Sequence, residues 1–336
     1  VRYPFFAALA LALGVAVPAV AVPTYTVTSS LPGADGGWDY ASVDAETNQL
    51  YVARSEAVMV VDLMSGKVND KLAVAQRSHA VLPIPGSGAL LETDGTTNSA
   101  RLIDVHTGAV RWSVETGIKP DAAIWDATRK LAIVMNNKGG TIALIDVTAG
   151  KVVGSIKMVP GLEFAAVDKR GLLWVNNEET NTVTPVDLKK MKALTPIKLS
   201  ACDGATGLAY AAALDQIVSV CGSGVADVVD AKTRKQVASI AIGKGADAAM
   251  VDNVRGIIAV PCGADGVLSI LDISGVAVKL VATVATEKSA RTGAIDLATG
   301  KIYLPTAQYM PAEKPGTRPK MVAGSFRLVV VSPQVN

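Results

Sequence analysis

The chain has 336 residues, half of them apolar but only 4% aromatic, and its 32 basic against 30 acidic residues leave a formal charge of +2. That balance argues against a nucleic-acid binder built on a strong basic surplus, and the length supports a sizeable core within one domain. Val, Ile, Leu, Thr and Ala dominate the periodic segments, as suits buried strands, and no segment sustains a helical period.

In chain order, Val1-Arg2 precede an apolar run from Phe5 to Val22 that contains Pro18 and reaches Ala19-Val20-Ala21, a small-x-small cleavage pattern. Residues 1–21 are therefore expected to be a signal peptide, with an uncleaved anchor as the competing reading. Residues 22–336 are expected to form a single domain. No later apolar run is long enough to span a bilayer, because Gly, Asp, Asn or Lys interrupts each one.

The domain is a tandem repeat. A hydrophobic-Asp pair recurs at Val61-Asp62, Ile103-Asp104, Ile145-Asp146, Val186-Asp187, Val229-Asp230 and Leu271-Asp272, with successive Asp positions 42, 42, 41, 43 and 42 residues apart. Several pairs lead into a turn such as Ser65-Gly66-Lys67 or Thr107-Gly108-Ala109, followed by another apolar run, which reads as a hairpin. An earlier marker, Asp44, Asp126, Asp168, Asp252 or Asp296, lies in the turn between the first two strands of its unit, with Ile84 and Ala211 in the equivalent slots. Four short strands per unit, repeated seven times, predict an all-β, seven-bladed β-propeller. Blades begin near 39, 79, 121, 163, 206, 247 and 291. The last lacks its own outer strand, which Thr24-Tyr25-Thr26-Val27-Thr28 is expected to supply, closing the ring and removing a free edge.

The repeat also serves as a ruler. Five residues before each turn marker stand Asp39, His79, Asp121, Glu163, Thr206, Asp247 and Arg291, which should ring the mouth of the central channel on one face. Ten residues after it stand Arg54, Asp94, Asn136, Cys221, Cys262 and Thr306, with Asn176 in the shorter fourth unit. Asp39, His79, Asp121, Glu163, Asp247, Arg291, Arg54 and Asp94 are the candidate ligand-binding residues. Glu163, Asp247, Asn136 and Asn176 form an oxygen-rich set suited to a hard divalent cation such as calcium. The competing reading is that these side chains cap strand ends and loop amides.

Three cysteines permit one disulfide, and placement allows Cys202–Cys221 or Cys221–Cys262. The chain has no H-E-x-x-H, C-x-x-C or G-x-S-x-G pattern. The insertion from Gln308 to Met321, on the face of the rings, reads as a lid, a docking strip or decoration.

Cys202-x-x-x-Thr206-Gly207-Leu208-Ala209 with Cys221, Gly245-Ala246-Asp247-Ala248, and Ala290-Arg291-Thr292 leading to Tyr303-Leu304-Pro305-Thr306-Ala307 resemble the YncE-like, YVTN-repeat family of exported seven-bladed propellers. Gly324-Ser325-Phe326 after the Pro-rich insertion resembles that family's final blade. The Tyr-Val-Thr-Asn motif itself is degenerate, present as variants such as Trp174-Val175-Asn176-Asn177 and Tyr51-Val52-Ala53-Arg54. The resemblance implies a periplasmic or secreted protein, not generally an enzyme, and favours the Cys202–Cys221 disulfide. The expected function is a monomeric binding module of the cell envelope that presents its acid-rich mouth to a small polar ligand, a cation or an envelope protein. The alternative is a divalent-metal-dependent hydrolase of the lactonase type on the same face. Nucleic acid ranks last, since stacking aromatics are few.

Overall fold

The computed structural model describes residues 22–314, 316–317 and 319–334. The expected signal peptide lies outside them. Seven antiparallel sheets follow one another along the chain. Each of the first six blades runs outward from an axial strand, as in Trp38–Asp44, Gln49–Arg54, Ala57–Asp62 and Val68–Val74 of blade one. In blade four the outermost strand is two short pieces, Lys192–Ala193 and Ile197–Lys198, both paired to Thr182–Asp187. Pro196 lies between them and has no N–H to offer the ladder.

Blade seven is closed from the other end of the chain. Tyr25–Pro32 pairs antiparallel with Arg327–Pro333, outside Ile302–Thr306 and Ala294–Ile295. The buried Tyr25 ring anchors this strand among Ile257, Ile302 and Val331. Closure thus gives the last blade its fourth strand and covers its edge.

Side-chain volume grades outward from the axis. The axial strands bury small residues, among them Ala80, Ala122, Ala165, Ala209 and Ala294, where seven blades converge. Leu50, Met59, Leu90, Ile133 and Trp174, on second and third strands, fill the wider gaps between blades. This arrangement explains a chain rich in Ala and Val yet poor in aromatics.

The recurring aspartates are turn locks. Asp62 accepts the amides of Met64 and Ser65, Asp104 those of His106 and Thr107, and Asp187 those of Lys189 and Lys190. An Asp at the strand end satisfies the backbone donors of the reversal that follows. The same holds for markers Asp126 and Asp252. Where the marker is Ile84 or Ala211, a neighbouring blade supplies the acceptor: Glu46 receives the Gly86 amide and Asn253 the Ala212 amide. The turn at Gly108 (φ +71°) also needs glycine sterically, since a Cβ there would sit 1.9 Å from the Leu72 carbonyl oxygen of the preceding blade.

Among the described residues no helix is long and apolar enough to cross a membrane.

Candidate functional site

The axial strands reach the channel mouth through a repeated irregularity. Pairing of first and second strands slips by one residue between Trp38 and Ala41, Ser78 and Val81, Pro120 and Ala122, Leu162 and Ala165, and Ala205 and Leu208. The extra residue is a β-bulge, which bends a strand and re-aims a side chain. Asp39, His79, Asp121, Glu163 and Thr206 all fall inside these bulges. In blade six Asp247 falls between the isolated Ala246–Cys262 bridge and the strand that starts at Met250. The register ruler therefore found the positions, while the bulge that turns them is visible only in the pairing.

Around the mouth the charges interlock. His79 Nδ1 lies 2.7 Å from Asp39 Oδ2 and 3.0 Å from Asp121 Oδ1, and Lys119 Nζ lies 2.7 Å from Asp121 Oδ2. The ligand atoms of Asp39, His79 and Asp121 all lie within 4.8 Å of one another, close enough for one ion to bridge. In this structure the imidazole bridges the two carboxylates instead. Burial works against charge on His79, but hydrogen bonds to Asp121 and Asp39 outweigh it and raise its pKa to about 9. On the other side, Arg291 Nε pairs with Asp247 Oδ2 at 2.8 Å, and its guanidinium lies 5.8 Å from the Trp38 ring centre. Asp247, chiefly through burial, is lifted to about 6 despite Arg291.

Glu163 differs from its neighbours. Neutral groups hydrogen-bond to it: Asn137 Nδ2 donates to Oε1 at 2.9 Å, and the Tyr40 hydroxyl lies 3.5 Å from Oε2. Burial first, then the fields of Asp121, Asp247, Glu178 and Asp39, push its pKa to about 10, so the carboxyl is protonated at neutral pH. Beside it the Tyr40 and Phe164 rings pack 5.2 Å apart. The two rings also line a cavity of about 290 Å³, whose walls are mainly apolar side chains including Ala80, Ala123, Trp125, Ala248 and Met250.

The second polar row ends the second strands, as the spacing predicts, with Asn177 rather than Asn176 as the terminal residue in blade four. Its members hold loops. Arg54 donates to the Gly37, Ala34 and Gly36 carbonyls and stacks 3.6 Å from the Phe326 ring centre. Asp94 accepts the amides of Gln76, Arg77, Thr96 and Thr97. Asn136 donates to the Thr116 carbonyl and Thr141 Oγ1, and Asn176 to the Thr206 and Gly207 carbonyls. Of the oxygen set read from the sequence, Glu163 and Asp247 face the mouth electrostatically, while the amide nitrogens of Asn136 and Asn176 are spent on neighbouring backbone.

Four participants escape the spacing argument: Lys119, Tyr40, Asn137 and Glu178. Lys119 stands two residues before the ring in a left-handed conformation (φ 53°), and Asn137 directly follows the second-row Asn136. A ruler that takes one residue per blade passes over such neighbours.

Cys202 and Cys221 form the disulfide, with Cα atoms 5.5 Å apart, and Cys262 is a buried thiol whose pKa is raised by burial. Part of the insertion folds back as a hairpin, through a Tyr309–Met321 bridge and a Met310 amide to Lys320 carbonyl bond of 2.8 Å. Tyr309 reaches the rim, 6.4 Å from the Trp38 ring. Pro315 and Arg318 lie outside the described residues.

No protein-family model matches the sequence, and no curated protein does. Solved structures do match. The chain is similar to one in the crystal structure of the mitotic checkpoint complex, with a TM-score of 0.74, 16% identity and 99% of each chain covered. It is also similar to a chain of Kuenenia stuttgartiensis hydrazine synthase, with a TM-score of 0.69, 14% identity, and 88% of this chain and 96% of that one covered. Likeness at such identities speaks for the propeller fold alone.

Proposed function

We propose that the protein is a non-catalytic binding propeller, exported and related to the YncE-like, YVTN-repeat proteins, which captures a small positively charged ligand at its channel mouth. The observation that carries this reading is the charge imbalance around Glu163. Asp39, Asp121, Glu163, Glu178 and Asp247 converge there, and the cations among them, His79, Lys119 and Arg291, are drawn to Asp39, Asp121 and Asp247. Glu163 is left with neutral partners and holds its proton, so an incoming cation that displaces the proton supplies a pairing that the protein alone does not. Clustered acids in a desolvated setting strengthen that attraction. The disulfide supports export, since such bonds persist in oxidising compartments.

Calorimetric titration of the purified protein with 1,4-diaminobutane and, separately, with succinate checks this. Saturable binding of the diamine, weakened at least tenfold in Asp247→Asn, with no binding of the dianion, is the expected outcome. Binding of succinate in preference to the diamine would reverse the assigned sign of the site and sink the proposal.

A further inference from the structure

The side-chain amide of Asn137 is fully buried, and its two ends are unevenly served. Nδ2 faces three acceptor oxygens: Glu163 Oε1 at 2.9 Å, the Leu162 carbonyl at 3.0 Å and Glu178 Oε1 at 3.2 Å. An amide nitrogen carries two hydrogens, so three acceptors exceed its capacity. The other end, Oδ1, is buried with no hydrogen-bond partner. An orphaned buried acceptor is destabilising, and amide orientation is fixed by surroundings rather than by shape. Turning the amide over would direct Oδ1 at the three oxygens, an arrangement satisfied by the proton on Glu163 or, once that proton leaves, by a cation between them.

We propose that Asn137 Oδ1, the Leu162 carbonyl and the carboxylates of Glu163 and Glu178 form a binding site for one hard divalent cation of the calcium class. The donors are all oxygen and include two carboxylates, the ligand chemistry that suits calcium rather than a thiolate- or imidazole-seeking metal. They come from three places in two adjacent blades. Asn137 follows the strand Leu131–Asn136 of blade three, Leu162 and Glu163 open the axial strand of blade four, and Glu178 follows its second strand, Leu172–Asn177. Backbone bonds brace the frame: the Asn137 amide donates to Lys119, the Gly161 amide to Asn137 and the Glu178 amide to Gly161. An incoming divalent ion displaces the proton that burial and the neighbouring acids hold on Glu163, and the two carboxylate charges then match it. Lys119 stands near both glutamates but is anchored on Asp121 at 2.7 Å, so it does not occupy the position between them.

This site rests on the reading of the channel mouth as a seat for cations and deepens it. Calorimetry of the chelator-treated full chain with calcium chloride, alongside the diamine titration, tests the two separately. One calcium per chain is expected, with affinity reduced at least tenfold in Glu178→Gln and in Asn137→Ala, and unchanged in Asp187→Asn at the opposite end of blade four. Should Asn137→Ala fail to fold, Glu178→Gln decides by itself, because Glu178 is only half-buried. Diamine binding without calcium binding overturns this site and leaves the seat standing. Calcium binding that ignores Glu178→Gln places the ion elsewhere and also overturns it. Failure of both ligands overturns the two readings together.

Discussion

His79 joins two carboxylates from neighbouring blades, and its protonation contributes to stability in a definite pH window. The groups facing it are Asp39, Asp121 and, through Asp121, Lys119. Its folded pKa of about 9 lies above the unfolded value near 6.5. The folded state therefore holds a proton more tightly. That contribution is complete below about pH 6.5 and disappears as the pH climbs through 9. A shift of this size corresponds to on the order of 3 kcal/mol, counted once for the whole His79–Asp pairing. Thermal unfolding from pH 6 to 10 should show this loss in the native chain and a flatter profile in His79→Gln. Parallel profiles would remove His79 as the cause. The sequence placed Asp39, His79 and Asp121 on one ring, because a repeat puts equivalent residues at equivalent heights. It did not show that the imidazole takes both carboxylates on a single nitrogen, since that depends on the angles at which three bulges meet.

At the scale of elements, the fifth blade carries the chain's one covalent brace. Cys202 lies in the loop leading into the axial strand Ala205–Ala211, and Cys221 ends the second strand, Gln216–Cys221. Joining residues 19 apart removes loop freedom from the unfolded chain, worth about 3 kcal/mol on the chain-entropy estimate. Replacing both cysteines with alanine should lower the denaturation free energy by that order, with urea unfolding as the measurement. An unchanged midpoint would show that the loop is held by its backbone bonds alone, such as those from Gly222 to Gly204 and from Ser223 to Asp203. The residues left both Cys202–Cys221 and Cys221–Cys262 open, and family resemblance alone favoured the first. The structure selects that pair, and Cys262 instead packs with its thiol 3.6 Å from the Ser269 hydroxyl.

For the whole molecule, closure is the decisive contact. Tyr25–Pro32 supplies the fourth strand of blade seven and buries Tyr25. Removing Tyr25–Pro32 should expose the backbone edge of Arg327–Pro333 and let chains pair through it. Sedimentation velocity should then report self-association together with a lower unfolding temperature. A monomer of undiminished stability would mean that the ring does not depend on this latch.

The sequence by itself determined the number of blades, the register within each and the residues that reach the mouth, because turn-locking aspartates and strand periodicity are local and recur every 42 residues or so. It also placed the closing strand, since an unpaired outer position and a spare strand stood at opposite ends of the same repeat. Only the tertiary structure decided which charges meet. Lys119 reaches Asp121, while Asn137 crosses from blade three to Glu163 and Glu178 of blade four. These contacts join residues at different offsets in their repeats and depend on bulges and on the packing of neighbouring blades. A periodic pattern carries neither.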